Sequence, residues 1–587
     1  MLEVRTLNDV LVHLAAREDK TVLLYKSGQD WKPLSGRQIY GRVRALAEAL
    51  SSWGVVRGDR VAMVGENRWE WLVTDLAILS LGAVTVPLYQ TLPPEQVGYM
   101  MSDSGAKVFL GSNRQQYQKI VDAGEMPALE RVVIWDDGEF GHAESFSAIM
   151  KRAPELQAAD AGFDALLAST RPDELATIIY TSGTTGDPKG VMLTHENMAS
   201  NLRCSTDGLY MGPEDVSISY LPLSHALARH QDYAFYLRGA TVAYLPKFDD
   251  LRGAMSAVKP TVLVGVPRVF EKVRQGVEGK SAHGLAHKIF DWALGQGRKH
   301  RDEIIVGKQP SSLGYKLADK LVFSKIRGNL GGRARLYVSG GAPLGKETTD
   351  WFLSIGIRIF EGYGLTETAP VIARNTFDGY RPGTVGPLLE NLEVRTAPDG
   401  EIETRGPNVF KGYWNKPEET KKEFTEDGWF KTGDIGKLED GFLSVTDRKK
   451  ELMKTSGGKY VAPQPIESKL KVDALVGQAA LVGDQKKFVS VLLSPNFPAL
   501  ERWAQKNGIH ATDPAELVKN DKVRAAYQQI VDRANQGLGH HETIKKMVIV
   551  PHEWTVDSGE LTPSMKLKRR VVLEKYKDDI AKVYNES

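Results

Sequence analysis

Cysteine is almost missing from this chain of 587 residues. With Cys204 alone, no internal disulfide can form, which suits a reducing compartment better than secretion and leaves that thiol as a small packing residue rather than a nucleophile. No charge sign dominates either: 76 Lys and Arg stand against 74 Asp and Glu, a net +2, which argues against nucleic-acid binding through a broad basic field. Long apolar runs are lacking. The stretch 71–89 comes nearest, but Asp75, Gly82 and Pro87 interrupt it, so it reads as a helix followed by a short strand rather than a membrane span. Glu3, Arg5, Asp9 and Arg17 break up the first twenty residues, unlike the apolar core of a signal peptide, so no export is expected. Solenoid-period repeats and low-complexity linkers are also absent.

What remains is a chain of ordinary globular composition, 42% hydrophobic and 26% charged, which excludes disorder, collagen and coiled coil. Apolar runs at 60–64, 107–110, 131–135, 261–266, 335–338 and 358–360 alternate with helical periods. That alternation predicts an α/β fold of mainly parallel sheets covered by helices. From about Asn391 the turn signals Pro398-Asp399-Gly400, Asp427-Gly428 and Asp440-Gly441 crowd together, pointing to a smaller antiparallel unit. Beyond Asp447, strands near 479–482, 489–493 and 547–550 with helices between them predict a small α+β domain.

The strongest local signal is TSGTTGDPKG, residues 181–190, directly after the apolar run 176–180. Its glycines let backbone N–H groups converge, the hydroxyls of Thr181, Ser182, Thr184 and Thr185 add donors, and Lys189 adds charge, a combination suited to phosphates. It is not a Walker A loop: counting from Gly183, Pro188 replaces the second glycine and Gly190 the magnesium-binding hydroxyl. In EGYGLTET, from Glu361, Tyr363 offers a stacking face and Glu367 a hard oxygen ligand for magnesium; a dinucleotide fingerprint fails there because its third glycine falls on Glu367. His225 and His230, five apart without acidic or thiol companions, do not make a zinc site. In TGDIG, Asp434 reads as a turn carboxylate able to accept two hydroxyl hydrogens.

These motifs, followed in order by LPLSHALARH, VPRVFEK, SGGAPL, EGYGLTET, DGWFKTGDIG, DRKKELMKTSGGKYVAP and LTPSMKLKRR, resemble the adenylate-forming superfamily of acyl-CoA synthetases, adenylation domains and luciferases over nearly the whole chain. The resemblance implies a large domain, 1–447, with a distorted barrel-like subdomain, and a small mobile domain, 448–587, pivoting at Lys450. It assigns phosphate contacts to Thr181, Ser182, Gly183, Thr184, Thr185, Gly186, Lys189 and Thr366. Adenine falls to Gly341, Ala342, Pro343 and Tyr363, further ATP contacts to Glu361, Gly362 and Gly364, and ribose to Asp434 and Arg448. Magnesium falls to Glu367 and the adenylation charge to Lys566, with Thr184 also at the reacting centre. His225 stands by the acyl pocket, although Ala226-Leu227 replaces the usual aromatic after it. Gly457 and Gly458 border a coenzyme A channel. Relatives using acetate carry a bulky aromatic where Gly364 stands, so glycine implies an open acyl pocket.

The implied activity is an ATP- and magnesium-dependent long-chain fatty acid–CoA ligase, cytoplasmic, with weak peripheral contact to the inner membrane surface through Lys568, Arg569 and Arg570. Two rival enzyme readings stay open: a fatty acyl-AMP ligase loading a carrier protein, and a medium-chain or aryl acyl-CoA synthetase. The non-enzyme rival is a nucleotide-binding regulator, which the joint presence of Lys189, Glu367, Asp434 and Lys566 disfavours.

Overall fold

The computed structural model describes residues 3–181, 187–280, 284–511, 513–562 and 565–585. The predicted apolar runs become strands of two eight-stranded sheets. In the first, Arg60–Val64 and Val84–Leu88 lie side by side in parallel, with Val108–Gly111 and Arg131–Ile134 beyond one edge and the antiparallel hairpin Leu175–Thr181/Lys189–Thr194 beyond the other. In the second, Thr241–Tyr244, Val216–Ser219, Val262–Gly265, Leu336–Ser339 and Ile359–Gly364 run parallel, ending on an antiparallel edge, Val371–Arg374. Val84–Leu88 and Val262–Gly265 are buried at every position, as parallel strands covered on both faces must be.

Two helices buried almost from end to end, Trp69–Ser80 and Ala226–Leu237, fill the interior against these sheets. Such helices need a polar tie when they carry charge. Arg229 donates to both oxygens of Asp75 at 2.7 and 2.6 Å, and the hydroxyls of Tyr233 and Thr85 close the remaining lone pairs. The pair has no solvent exposure; these hydrogen bonds saturate the carboxylate and offset its desolvation, while Arg229 Nη1 has no partner among the described residues.

The crowded turns after Asn391 give a five-stranded sheet, in the order Gly386–Pro387, Phe442–Arg448, Phe430–Glu439, Glu401–Arg405, Glu393–Thr396. Among the described residues its end strands do not pair with each other, so this subdomain is an open antiparallel sheet and not a closed barrel. Beyond it, Val476–Val482, Val489–Pro495 and Ile544–Ile549 form a three-stranded sheet with its own core of Leu481, Val491, Leu493 and Tyr527. This unit lies against the body, where Gln275 Nε2 donates to the Lys471 carbonyl at 3.1 Å. Among the described residues, no helix is long and apolar enough to cross a membrane.

Candidate active site

A continuous cavity of about 3320 Å³ opens where the parallel strands end. Its walls include Pro222 and His225 just past Val216–Ser219, Val266 past Val262–Gly265, and the turn 340–343 past Leu336–Ser339. Ligand sites of open α/β sheets lie outside the carboxyl ends of strands for this reason. The three-stranded unit supplies the opposite wall, with Lys566 and Ser468.

At the nucleotide-like end, Gly341 has φ +82°, a backbone state that a side chain would disfavour, and it leads Ala342 and Pro343 along the cavity wall. Glu361 lies opposite; its Oε2 accepts from the Leu344 N–H at 3.2 Å, and burial raises its carboxyl to about 7. The Tyr363 hydroxyl donates to Asp434 Oδ2 at 2.8 Å, and Arg448 Nε lies 3.2 Å from Asp434 Oδ1. Asp434 is not in a turn. It sits within the strand Phe430–Glu439, directly opposite Arg448, because pairing on both sides overrides the glycines of TGDIG. EGYG ends the strand Ile359–Gly364, held by pairing of Gly362 with Arg374 and Tyr363 with Ala373.

Glu367 follows in a short 3-10 turn, and Tyr413, absent from the sequence reasoning, donates to its Oε1 at 3.0 Å. The strand Gly412–Tyr413 pairs with Lys189–Thr194, bringing Lys189 Nζ 5.0 Å from the Tyr413 ring centroid and into an ion pair with Glu419. Burial raises the carboxyls of both Glu367 and Asp434: each is short of positive charge. A magnesium ion fits that deficit at Glu367, since magnesium is commonly held by one or two carboxylates plus phosphate oxygens and water. Thr181 ends the strand Leu175–Thr181 on the cavity wall, while Ser182, Gly183, Thr184, Thr185 and Gly186 lie outside the described residues.

Lys566 sits where the chain closes on itself, its carbonyl accepting the Thr562 N–H at 2.7 Å beside the Leu561–Leu567 bridge. Protein crowding, then Arg448, lowers its ammonium to about 8 against the pull of Asp434, Glu451 and Glu367. His225 caps the helix Ala226–Leu237 by accepting the Leu227 N–H on Nδ1 at 3.2 Å. Burial and then Lys566 lower it to about 4, so the ring is neutral near pH 7 and carries its proton on Nε2. Acids raised and a lysine lowered in one cleft describe charges awaiting a ligand of both signs.

Other expected residues lie differently. Lys450 is exposed at the cavity rim. Gly457 and Gly458 occupy the exposed turn between Met453–Lys454 and Tyr460–Val461, away from the cavity. Gly364 answers first to its hairpin: a Cβ there would stand 1.7 Å from the Pro370 carbonyl oxygen, so its bare backbone is a packing demand and not only an open pocket. Arg569 is no solvated surface charge, since it grips both Glu467 oxygens at 2.7 and 2.9 Å. Asp447 also escaped sequence reading. Its carboxylate accepts from Arg448 N–H at 2.6 Å and from Gln464 N–H at 3.2 Å, and burial raises it to about 7.

The profile of the AMP-binding enzymes matches residues 12–414 of this chain, and that of their C-terminal domain matches 450–587. The chain belongs to the AMP-binding enzyme family. Among curated relatives of this AMP-binding enzyme, the long-chain-fatty-acid–CoA ligase FadD15 of Mycobacterium tuberculosis is 38% identical over 97% of this chain and 95% of its own length. The human long-chain-fatty-acid–CoA ligase ACSBG2 is 33% identical over 96% and 90%. Among solved structures, the ATP-bound RpMatB-BxBclM chimera B3 superposes with a TM-score of 0.70 at 27% identity, covering 97% of this chain and 99% of that one. The A domain of carboxylic acid reductase from Segniliparus rugosus, in complex with AMP and a co-purified carboxylic acid, shares the fold at TM-score 0.78 and 21% identity over 99% and 94%.

Proposed function

We propose that this AMP-binding enzyme is a cytoplasmic, ATP-dependent long-chain fatty acid–CoA ligase. The observation that carries the proposal is the apolar share of the cavity lining. Leu227, Ala228, Ala234 and Phe235 of the helix Ala226–Leu237 line it, as do Val262, Val264, Val338 and Phe360 of the parallel strands. Each methylene buried there gains about 0.8 kcal/mol, a term that short acids cannot collect. The names of the relatives above support the same substrate class.

In the first step a fatty carboxylate oxygen attacks the α-phosphorus of ATP and the bond to pyrophosphate breaks. Residues 181–186, Lys189 and Thr366 hold the phosphates, Tyr363 and the wall 341–343 hold adenine beside Glu361, Gly362 and Gly364, and Asp434 with Arg448 holds the ribose. Lys566 bridges the carboxylate and α-phosphate as negative charge grows, an electrostatic role that needs a mobile point charge. Glu367 would hold magnesium, which when bound would neutralise charge on the leaving group. In the second step the coenzyme A sulfur, its proton released to solvent, attacks the acyl carbon and the carbon–oxygen bond to AMP breaks.

One orientation of the small domain cannot serve both steps, because Lys566 must reach the α-phosphate in the first and the coenzyme A thiol must reach the same acyl carbon in the second. Residues 448–587 therefore rotate against 1–447 about Lys450, bringing Gly457 and Gly458 to the pantetheine channel; Gly458, at φ +75° with nothing within 4 Å of a built Cβ, suits such an approach. Weak peripheral membrane contact belongs to the same proposal, since the substrate partitions into bilayers. The test is release of AMP and pyrophosphate over acids from acetate upward, with and without coenzyme A. Turnover that rises with chain length and needs coenzyme A is expected. A maximum with short or aryl acids, or AMP release without thioester on free coenzyme A, would refute the reading in favour of its rivals.

A further inference from the structure

Of the sixteen large apolar side chains exposed over the described residues, seven fall between 285 and 321. They are ordered. Leu285, Ile289 and Trp292 recur at i, i+4 and i+7 along the helix Gly284–Lys299, and Leu313, Leu317 and Leu321 at i, i+4 and i+8 along the neighbouring helical turns 313–323. Neither stripe serves the core, because Phe290, Ala293 and Leu294 of the first helix and Tyr315, Ala318 and Phe323 of the second already fill it. The two stripes lie side by side. Gln296 continues the 285–289–292 row, and its Oε1 stands 2.5 Å from a Cβ built on Gly314, next to Leu313. Leu285 is 73% exposed and Leu313 87%, far more than an isolated surface apolar residue requires, and a contiguous patch of this kind marks an interaction surface.

The charge around the stripes selects the partner. Residues 284–328 hold nine Lys and Arg against four Asp and Glu, a net +5 in a chain of net +2. Of the four acids, Asp291 and Glu303 pair with His287 and His300, and Asp319 with Arg327, while Lys288, Lys316 and Lys320 are exposed beside the apolar rows. Apolar side chains flanked by long basic ones form an interfacial face: the apolar row enters the acyl boundary and the lysines reach headgroup phosphates. We propose that this two-helix face docks the enzyme on an anionic lipid surface. The inference stands on exposure, register and charge, and does not depend on the reaction proposed above.

The test uses the full chain in co-sedimentation with vesicles of phosphatidylcholine alone and of equimolar phosphatidylcholine and phosphatidylglycerol, at low and high salt. Binding to the anionic vesicles that salt weakens is expected. The triple variant Lys288→Glu, Lys316→Glu, Lys320→Glu loses about fivefold per lysine, on the order of 10²-fold in all. The double variant Leu313→Asp, Leu317→Asp loses binding without a change in melting temperature or in turnover of a short, water-soluble acid. Equal binding to neutral and anionic vesicles, no binding to either, or unchanged binding by both variants would overturn the proposal. So would conversion of a dimer to a monomer by the double variant with vesicle binding intact, which would make the face a contact between copies.

Discussion

The role proposed for Lys566 predicts that this residue sets the alkaline side of the adenylation rate. Its ammonium is lowered to about 8 because ordering it among protein atoms and beside Arg448 penalises the charged form. The sign follows: the protonated form, which neutralises the α-phosphate, is lost as pH rises through about 8. At pH 7 about 91% of such a group is charged and at pH 9 about 9%, so kcat/KM for pyrophosphate release falls about tenfold between them. Nucleotide phosphates favour the charged lysine, so the same limb in kcat lies at higher pH than in kcat/KM. Replacing Lys566 with alanine removes the charge at every pH and costs 10²- to 10³-fold, about 2.7–4 kcal/mol. Thioester formation from supplied acyl-AMP should survive, because that step does not build charge on the phosphate. Pyrophosphate release without coenzyme A, followed from pH 6 to 10, and thioester formation from synthetic acyl-AMP read the two half-reactions separately. An alkaline limb that persists unchanged in Lys566→Ala, or equal losses in both half-reactions, would refute the assignment.

Glu367→Ala should nearly abolish pyrophosphate release, and raising magnesium should recover little of it; near-parental release would remove Glu367 from the site. Lys450→Pro fixes φ near −65° at the proposed pivot, so acyl-AMP should accumulate in stopped-time assays while thioester formation fails; equal rates for both steps would make Lys450 an ordinary linker residue. Asp75→Ala leaves Arg229 charged, buried and unpaired, and should lower unfolding stability by about 3–5 kcal/mol in denaturant titration; a loss below 1 kcal/mol would mean that water reaches the pair.

Strands that are buried on both faces write themselves as continuous apolar runs, which is why Arg60–Val64 and its neighbours were legible to within a residue or two. Motif residues were legible as types but not as contacts. Glycine content made TGDIG look like a turn, and only pairing with a strand more than ten residues on reveals it as extended. The same distance hid Tyr413 behind Glu367 and Gln464 behind Asp447: neither partner carries a local signal. A basic run such as 568–570 reads as solvated, yet Arg569 finds Glu467 a hundred residues away. Leu285, Ile289 and Trp292 mark the converse limit, since helical spacing of apolar residues predicts a buried face and cannot tell core from open surface.

The basic two-helix face makes the molecule an electric dipole. With nine basic and four acidic residues confined to 284–328, the rest of the chain carries 67 against 70, a net −3. An anionic surface therefore attracts one side of the protein and repels the remainder, turning it in solution before any apolar residue makes contact. The turning torque reaches only as far as the Debye length, about 8 Å at physiological ionic strength. Salt then governs how often an encounter begins in the landing orientation, and so sets the arrival rate, while the leucine and tryptophan rows set how long the enzyme stays.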